Sequence, residues 1–585
     1  MAFAVGGATL RDPGNGQAVK IVYPRPDNPL IVQGDHTVLV EVDSPRYAEA
    51  RDELVAFAEL VKSPEHIHTY RITPLSIWNA RSAGVSAERI LATLAEYAKY
   101  AVPEHVLWQV RDFASRYGRL RLERQGDGLL LVCDEDVLAE QVSRHKNIAP
   151  LLRERTGARM FRISPIDRGR LKQALVQIGY PAEDLAGYVE GEKLTLSLRP
   201  RTRAGELFAL RAYQGWAVRA FHADGAPHGG SGVIVLPCGA GKTVVGVACM
   251  AELGMSTLIL TTGITASRQW ADELLDKTSL DPADVGLYDG SSKEIRPVTI
   301  ATYHIVTHRR RTTDEFRHLA VFDERNWGLI IYDEVHLLPA PVFQITASLQ
   351  AKRRLGLTAT LVREDGREDD VFALIGPKKM DVPWKVLERQ GWIATAACTE
   401  IRLPLPAEMR MPYALAEARD RFRLAANNPD KLDLVRAVLD AHPDEPALVM
   451  GMYVEQVKQL AAALDVPVVT GSTPQAERDR LYADFRAGVV RVLAVSKVAN
   501  FAIDLPDAAV AIQVSGTFGS RQEEAQRLGR ILRPKPGHNQ AHFYTIVSRD
   551  TVEQDFALRR QLFLCEQGYT YRIVDTNESV PAIRF

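Results

Sequence analysis

The order of apolar and polar positions predicts that short strands alternate with helices over most of the chain. Residues 233–236 and 329–332 are continuously apolar, and residues 257–260 are apolar after Thr257, which is typical of strands buried on both faces of a parallel sheet. Mainly apolar segments that predict further strands follow at residues 466–470, 490–496, 509–514 and 542–547. An α/β fold with two β/α domains in tandem is therefore predicted, at residues 201–400 and 446–585, joined by a connecting segment at 401–445.

The residues before these two domains follow a less regular pattern. A Gly- and Pro-rich stretch at 1–26 is predicted to be flexible. The elements predicted within 27–133 are short strands at 28–42, helices at 46–61, from Pro74, after Ser86 and from Pro103, and a hairpin at 119–134. Helices followed by a hairpin predict a winged-helix-like region, which contacts nucleic acid in some proteins and only protein in others.

Residues 134–200 are predicted to form a small α/β domain and a linker. Its elements are helices at 137–145, 151–156 and 167–178 and a strand at 158–163. Its basic residues are Arg144, His145, Lys146, Arg153, Arg155, Arg168, Arg170 and Lys172. These residues either face a phosphate backbone or only form the solvent-exposed faces of their helices.

The composition limits the cellular compartment in which the protein can work and the type of nucleic-acid-binding surface that it can have. The 585 residues exceed one domain, and a net charge of -1 means that any nucleic-acid surface must be a local basic face. The five cysteines are scattered without metal-ligand spacing, which favours a reducing compartment and argues against structural zinc. No apolar run reaches membrane-spanning length, and the N-terminus lacks the pattern of a signal peptide. We expect a cytoplasmic protein that needs no membrane.

The segment 232–247, GVIVLPCGAGKTVVGV, predicts a strand, a glycine turn and a helix. In such a loop, backbone N–H groups and the helix N-terminus surround an anion, the lysine reaches the outer phosphates and the threonine binds Mg²⁺. The candidate nucleotide-binding residues are Pro237, Cys238, Gly239, Ala240, Gly241, Lys242 and Thr243. The usual signature has Gly or Ala where this chain has Leu236, so a purely structural turn is the alternative.

Other polar residues follow predicted strands of the same domain. Asp333 and Glu334 come directly after an apolar strand, a position that suits an Mg²⁺ ligand and a base for the attacking water, or an ion pair if the acids act alone. His336 adjoins them and can relay nucleotide state by hydrogen bonding to the strand that carries Thr358 and Thr360. Gln214, in the segment LRAYQ with Arg211, is a weaker candidate for binding an adenine edge.

Two further groups of residues suit nucleic acid or phosphate. Thr262 and Arg268 follow the strand at 257–260 and either touch a nucleic-acid backbone or belong to a helix cap. The segment QRLGRILR places Arg527, Arg530 and Arg533 at three-residue intervals on one helix face. Such a face forms either a salt-bridge network or an arginine finger.

At these motifs the chain resembles superfamily 2 helicases, and within them the XPB family. LPCGAGKT, the DEVH box, GLTATLVRED and GSRQEEAQRLGRILRPK are close to that family's motifs, and the triplet Arg363, Glu364 and Asp365 is a feature for which the family is known. The resemblance covers about residues 207–574 and extends to an N-terminal domain like that of bacterial members. It also implies a damage-recognition counterpart at about 134–188 and, at 404–428, a short thumb-like segment of one amphipathic helix.

The resemblance implies roles for individual residues. Arg530 and Arg533 would reach the γ-phosphate from the second RecA-like domain, and Gln526 would sit beside them. The implied DNA contacts are Arg363, Glu364, Asp365, Thr262, Arg268, Thr302, Ser496 and Lys497, and Asp504 would couple DNA to nucleotide. The segment SKVANFAIDLP lacks the Gly that motor proteins commonly carry before the acidic residue.

We therefore predict an ATP- and Mg²⁺-dependent DNA helicase with 3′ to 5′ polarity. Its predicted substrate is a junction between single- and double-stranded DNA, and its predicted role is in nucleotide excision repair. A nuclease is a candidate partner, and a monomer is expected. Two alternatives stay open: a translocase that does not separate strands or moves on RNA, and a non-enzymatic scaffold for DNA or a nuclease.

Overall fold

The fold is described from a computed structural model that divides the chain into two compact units, Met1–Gly118 and Arg119–Phe585. The described residues are 9–11, 18–20, 25–62, 66–126, 128–164, 167–187, 190–225, 229–308, 317–322, 324–338, 342, 346, 352–359, 368–496, 508–516, 524, 527–529, 531–532 and 539–576.

The first unit contains a four-stranded antiparallel sheet with the order β3-β4-β6-β5 and a separate pair β1-β2. Its strands are β1 (Thr9–Arg11), β2 (Ala18–Lys20), β3 (Leu30–Val32), β4 (Thr37–Glu41), β5 (Glu59–Lys62) and β6 (Ile67–Arg71). Its helices are α1 (Tyr47–Leu54), α2 (Pro74–Ser82), α3 (Ala87–Tyr97) and α4 (Glu104–Arg116). Val38, Val40 and Tyr70 from the sheet are fully buried in the same core as Ile90 and Val106 from the helices.

Local signals placed the helix starts of this unit correctly. The hydroxyl of Thr73 accepts from Ser76 N at 3.0 Å, and Thr73 N donates to the Ser76 hydroxyl at 2.9 Å, so the two residues cap α2 reciprocally. Ser86 caps α3 in the same way, accepting from Arg89 N at 3.1 Å. The predicted helix at 46–61 is wrong in its second half, because residues Glu59–Lys62 form β5, which pairs with β6.

The second unit begins with a five-stranded sheet of order β11-β7-β8-β10-β9. Its elements are β7 (Leu120–Gln125), β8 (Gly128–Cys133), α5 (Asp136–Arg144), β9 (Leu152–Gly157), β10 (Met160–Ile163), α6 (Arg168–Gln177) and β11 (Ala182–Asp184). The predicted hairpin is thus present, but it belongs to this sheet and not to the unit of the preceding helices. The helices and the hairpin therefore do not form one winged-helix module.

The helix predicted at 151–156 is wrong. Leu152–Gly157 is the edge strand β9, paired antiparallel with β10. Its sequence LRERTG has neither an apolar alternation nor a helical stripe, since most of its side chains face solvent. Pairing with a neighbouring strand decided its conformation. The other predicted elements of this region, at 137–145, 158–163 and 167–178, are confirmed.

The first motor domain has a seven-stranded sheet with the order β14-β15-β13-β16-β17-β12-β18, in which the pairs are parallel. Its strands are β12 (Ser231–Val235), β13 (Thr257–Thr261), β14 (Val285–Tyr288), β15 (Val298–Thr302), β16 (Leu329–Asp333), β17 (Arg353–Thr358) and β18 (Lys378–Asp381). Its helices are α7 (Ala212–His222), α8 (Lys242–Leu253), α9 (Ile264–Lys277), α10 (Tyr303–Val306), α11 (Glu368–Ile375) and α12 (Trp384–Arg389). The continuously apolar runs are buried strands, as predicted.

The second motor domain repeats this design with the strand order β21-β22-β20-β23-β24-β19-β25. Its strands are β19 (Thr395–Leu403), β20 (Ala447–Met450), β21 (Val468–Val469), β22 (Val492–Val495), β23 (Val510–Gln513), β24 (Gln540–Ser548) and β25 (Tyr571–Asp575). Its helices are α13 (Ala407–Leu415), α14 (Ala418–Ala426), α15 (Lys431–Ala441), α16 (Val454–Leu464), α17 (Gln475–Arg486) and α18 (Val552–Glu566).

Two boundaries differ from the sequence prediction. β19 pairs in parallel with β24 and β25, so Thr395–Leu403 belongs to the second motor domain and not to the end of the first. The segment 404–428 contains two helices, α13 and α14, where one was expected. All five cysteines are free thiols. None of the helices in the described part of the chain has the length and apolar character needed to cross a membrane.

Candidate nucleotide site

Three neighbouring parallel strands deliver the predicted catalytic residues to one edge of the first motor sheet. β16, β17 and β12 lie side by side, with Asp333 opposite Leu357 and Thr358 opposite Val235. Because the carboxyl ends of parallel strands meet at one sheet edge, the phosphate loop after β12 and the acids after β16 lie close together. Lys242 Nζ is 3.4 Å from Glu334 Oε1.

The phosphate loop folds as the glycines require. Gly239 and Gly241 have φ angles of 81° and 77°, in the region that favours glycine. Ala240 N donates to Pro237 O at 3.2 Å and closes the turn. Leu236, which stands where the usual signature has Gly or Ala, is buried. Its N donates to Thr358 O at 3.0 Å, so it extends the pairing of β12 with β17 by one residue. Lys242 and Thr243 then occupy the first turn of α8.

Helix α7 supports the loop from behind. The hydroxyl of Tyr213 and Nε2 of Gln214 both donate to Ala240 O, at 2.7 and 3.2 Å. Gln214 Oε1 accepts from Arg211 N at 2.9 Å, which caps the helix. The Arg211 guanidinium lies 4.7 Å from the centre of the Trp392 ring. In the described structure Gln214 therefore binds backbone of the loop and of its own helix, and its contact with adenine stays a prediction.

The acid pair is held by aromatic groups from two other elements. Trp270 Nε1 on α9 donates to Asp333 Oδ2 at 3.0 Å, and the hydroxyl of Tyr303 on α10 donates to Asp333 O at 3.0 Å. Glu334 has a φ of 48°, a left-handed conformation that is uncommon for a glutamate and typical of functional sites. Burial, reinforced by the Glu334 charge, raises the pKa of Asp333 to about 6.

The lysine carries the matching positive charge. Burial opposes ionisation of Lys242, but the nearby charges, first of all Glu334, hold the pKa of its ammonium above the usual value. The sequence predicted Lys242, Asp333 and Glu334 as site residues, and the structure places Lys242 beside Glu334. Sequence reasoning missed Tyr213, Trp270 and Tyr303, since these residues are distant in sequence from the groups that they position and belong to no recognisable motif.

The predicted link between the acid box and the next strand is present. His336 Nδ1 lies 2.6 Å from the Thr358 hydroxyl and 3.5 Å from Glu334 Oε2. The His336 side chain is buried. A single imidazole thus contacts both the acid box and the carboxyl end of β17, which is the geometry that a relay of nucleotide state needs.

The second motor domain reaches the phosphate loop at Gly529. A Cβ added at Gly529 would lie 2.1 Å from the Cβ of Cys238 and 2.6 Å from its sulfur. Only glycine fits this approach, because real Cβ atoms do not come so close to other atoms. A second bridge joins the two domains at Arg268 on α9, whose Nη1 lies 2.6 Å from Asp479 Oδ2 on α17.

Several predicted site residues have structural contacts. Arg527 is buried and donates to Gln513 Oε1 and, at 3.4 Å, to Ser515 O, so it belongs to the interior and not to an exposed arginine face. The Thr302 hydroxyl accepts from Ile305 N at 3.2 Å and caps α10. Ser496, directly after β22, is buried and its N donates to Val469 O at 3.0 Å. Thr262 directly follows β13.

The remaining predicted site residues lie outside the described residues. They are Thr360, Arg363, Glu364, Asp365, Lys497, Asp504, Gln526, Arg530 and Arg533.

The groups present fit a nucleoside triphosphate with a hard divalent cation. The turn of the loop favours glycine at position 241, since φ there is 77° and an added Cβ would lie 2.6 Å from Gln214 Nε2, which would have to move. One ammonium, one hydroxyl at a helix N-terminus and a buried carboxylate form a donor set for phosphate and Mg²⁺. A buried carboxylate with a raised pKa is a group that a bound cation would stabilise as the anion.

Asp333→Asn is expected to stabilise the nucleotide-free protein by roughly 1–3 kcal/mol at pH 7, because the charged carboxylate is buried at a cost. The folded-state pKa of about 6 lies above the ordinary 3.8. Protonated Asp333 therefore favours folding below pH 4, and this contribution is lost as the pH rises through 6.

The measurement is denaturant unfolding of both proteins between pH 4 and 8. The stability difference should grow up to about pH 6 and then stay constant. Asp276→Asn is the control with the opposite sign, since backbone and Lys277 contacts hold the pKa of Asp276 below its usual value despite partial burial. A pH-independent difference for Asp333→Asn would contradict the assignment.

Two RecA-like sheets in tandem, with the phosphate loop of one in contact with the other, define the class of nucleotide-driven helicase motors. Residues 387–583 match the family model for the ERCC3/RAD25/XPB C-terminal helicase. Residues 207–363 match that for the type III restriction enzyme res subunit, and residues 30–157 that for a helicase conserved C-terminal domain.

Named relatives agree over nearly the whole chain. A protein named DNA 3′-5′ helicase XPB from Kineococcus radiotolerans is 55% identical over 94% of this chain and 97% of its own. Its namesake from Mycobacterium tuberculosis is 55% identical over 95% and 100%. The yeast general transcription and DNA repair factor IIH subunit XPB/SSL2, from Saccharomyces cerevisiae, is 30% identical over 94% of this chain and 73% of its own. The chain belongs to the XPB family of DNA helicases.

Proposed function

We propose that this protein is an ATP- and Mg²⁺-dependent DNA helicase that moves 3′ to 5′ and opens duplex DNA at a junction with single strand. The observation that carries this proposal is the phosphate loop shared by two motor domains, with Lys242 and Glu334 on one side and Gly529 against Cys238 on the other. A site built from two domains can convert hydrolysis into relative motion of the domains.

The residues of the first domain divide the chemistry among them. Lys242 neutralises the outer phosphates, and the Thr243 hydroxyl and Asp333 carboxylate hold the cation, which supplies charge stabilisation when bound. Glu334 orients the attacking water and accepts its proton. Trp270 and Tyr303 fix Asp333, as their hydrogen bonds of 3.0 Å indicate. The other loop residues, Pro237 to Gly241, supply backbone N–H groups.

The second domain completes the site in this proposal. Arg530 and Arg533 stabilise the charge that develops on the γ-phosphate, with Gln526 beside them. Gly529 immediately precedes Arg530 in sequence. Its contact with Cys238 supports a finger that acts in the closed arrangement of the two domains.

Coupling to DNA is proposed to pass through the sheet edges that flank the site. His336 and Thr358 transmit the state of the acid box to the segment after β17, where Arg363, Glu364 and Asp365 act at the fork. Thr262, Arg268, Ser496 and Lys497 contact the strand, and Thr302 supports this surface as the cap of α10. Asp504 links the strand to nucleotide. Arg268 exchanges its Asp479 partner for phosphate when DNA is bound.

The names of relatives support a proposal for the biological setting. Proteins of this family carry names that include DNA repair, and we propose a role in nucleotide excision repair, with a nuclease as partner and the chain acting as a monomer in the cytoplasm.

The proposal is tested by ATP hydrolysis with and without DNA of defined tails. We expect strong stimulation by DNA that carries a 3′ single-stranded tail, and less by RNA of the same sequence. Hydrolysis at an equal rate with and without DNA would contradict the coupling, whereas stimulation without strand displacement would identify a duplex translocase.

Gly529→Ala is expected to reduce the hydrolysis rate by roughly 10²-fold, because separating the domains by about an ångström misplaces catalytic groups. Nucleotide affinity should change little, since the loop and Lys242 are untouched. Adding Cys238→Gly to Gly529→Ala removes the opposing Cβ and should restore part of the rate.

The control for Gly529→Ala is Gly290→Ala, where an added Cβ meets nothing within 4 Å. Single-turnover hydrolysis and nucleotide titration measure rate and affinity separately. A Gly529→Ala protein that hydrolyses ATP as fast as the Gly290→Ala protein would show that the contact is not part of the active arrangement.

A further inference from the structure

A cluster of metal-ligating side chains lies in the second motor domain, apart from the nucleotide site. One ligand atom from each of His442, Glu445 and His542 can be chosen so that all three lie within 4.8 Å of one another. The rings of His442 and His542 are 4.6 Å apart between centres, and His442 Nδ1 is 3.1 Å from Glu445 Oε2. Two imidazoles and one carboxylate are the ligand set of many zinc sites.

A turn and a strand position these side chains. His442 and Glu445 lie in the turn after α15, where Glu445 N donates to His442 O at 3.3 Å and Arg491 Nη1 donates to the same oxygen at 3.0 Å. His542 is the third residue of β24, and its N donates to Ala509 O at 2.9 Å. The backbone of all three residues is therefore fixed by hydrogen bonds.

The two ring nitrogens of His442 face different partners. Its Nε2 lies 2.8 Å from the Tyr544 hydroxyl, and its Nδ1 faces Glu445. With a metal ion on Nδ1, the Nε2–H would donate to the Tyr544 hydroxyl. A histidine ligand whose other nitrogen donates to a polar group is the usual arrangement around zinc.

Glu445 supplies a second, independent indication. Its Oε2 is buried as an atom and makes no hydrogen bond of good geometry within the described part of the chain, although the side chain as a whole is 41% exposed. A buried carboxylate oxygen needs compensation by a donor or a cation. Ligand atoms around zinc are about 3.3 Å apart for bonds of about 2.0 Å. The three ligand atoms here lie within 4.8 Å of one another, so they must move closer together when the ion binds. The partly exposed side chain of Glu445 and the turn that carries it permit this movement.

We propose that His442, Glu445 and His542 bind one divalent transition-metal ion of the zinc class, with a water molecule as the fourth ligand. The site lies at the amino end of the second motor sheet, where β20 and β24 begin, and not at the carboxyl edge that faces the nucleotide. The ion joins the turn at 442–445 to β24 and stabilises this domain without taking part in hydrolysis.

The test uses the full-length protein, freed of metal with a chelator and then titrated with Co²⁺ in excess Mg²⁺, which occupies oxygen-rich sites. We expect one equivalent of Co²⁺ to produce visible absorption of a nitrogen-ligated site, and Zn²⁺ to displace it. His542→Ala and, independently, Glu445→Gln should weaken Co²⁺ binding at least roughly 100-fold and tenfold. DNA-stimulated ATPase activity should remain.

The matched control is His66→Ala, which removes an exposed histidine paired with Asp43 at 3.0 Å in the first unit. This variant should bind Co²⁺ like the unchanged protein. The absence of Co²⁺ absorption in the unchanged protein overturns the proposal. Co²⁺ absorption that persists in both variants, when both are folded, also overturns the proposal. If His542→Ala does not fold, Co²⁺ absorption that persists in Glu445→Gln overturns it.

Discussion

Lys242→Ala is expected to reduce DNA-stimulated ATP hydrolysis by roughly 10²–10³-fold, the effect of removing one preorganised charged donor from a reaction centre. The Lys242 side chain is only 12% exposed and lies 3.4 Å from Glu334. Its charge therefore acts in a largely water-excluded site, where it is worth more than in solvent. The variant also leaves Glu334 and Asp333 without their nearby cation, which weakens nucleotide binding.

The measurement is steady-state hydrolysis with saturating DNA, together with circular dichroism to show that the variant is folded. Lys277→Ala is a matched control, because Lys277 is also an ion-paired lysine of the first motor domain, 2.8 Å from Glu273. The control should hydrolyse ATP within about twofold of the unchanged protein, because Lys277 and Glu273 are partners within α9 and take no part in the proposed chemistry. Equal hydrolysis by Lys242→Ala would exclude this site as the ATPase centre.

Lys431→Ala is expected to lower the free energy of unfolding of the second motor domain by about 3–5 kcal/mol. Lys431 Nζ donates to both oxygens of Glu553, at 2.7 and 2.9 Å, and to Val514 O at 2.7 Å, and both side chains are 1% exposed. Burial lowers the pKa of Lys431 even though Glu553 opposes this. Removing the lysine leaves a buried carboxylate, with Ser548 N, 2.9 Å from Glu553 Oε2, as a remaining donor within the described residues.

Denaturant unfolding followed by circular dichroism measures the loss. Lys458→Ala serves as the control, because Lys458 is 48% exposed and 4.0 Å from Glu455 in the same domain. The control should stay within about 1 kcal/mol. Replacing Lys431 and Glu553 together by Met and Leu should recover part of the stability. A loss in Lys431→Ala no larger than that of the control would mean that the pair does not hold this domain together.

The sequence predicted the motor sheets well, for a physical reason. Runs such as 233–236 and 329–332 are apolar at every position because their strands are covered on both faces, and this pattern is unambiguous. The edge strand β9, LRERTG, carries no such pattern, and its partner β10 decided its structure. β5 was likewise predicted as helix, since its pairing with β6 is not visible in a local window.

The candidate site was predictable where residues are adjacent in sequence. Lys242, Thr243, Asp333 and Glu334 belong to compact motifs whose chemistry is evident from residue type. The contact of Gly529 with Cys238 and the support of Asp333 by Trp270 depend on packing between distant segments. Packing also decides the position of Arg527, which the sequence could not predict. Helical spacing suggested that Arg527 lies on an exposed arginine face, but its guanidinium is buried in the structure.

We expect this chain to separate DNA strands with 3′ to 5′ polarity. The most direct test is displacement of a labelled strand from duplexes with a 3′ tail, a 5′ tail or blunt ends, with ATP and Mg²⁺, alongside Lys242→Ala. We expect displacement from the 3′-tailed duplex, little from the other two, and none by Lys242→Ala. Absence of displacement from the 3′-tailed duplex by a protein that hydrolyses ATP on it would contradict strand separation.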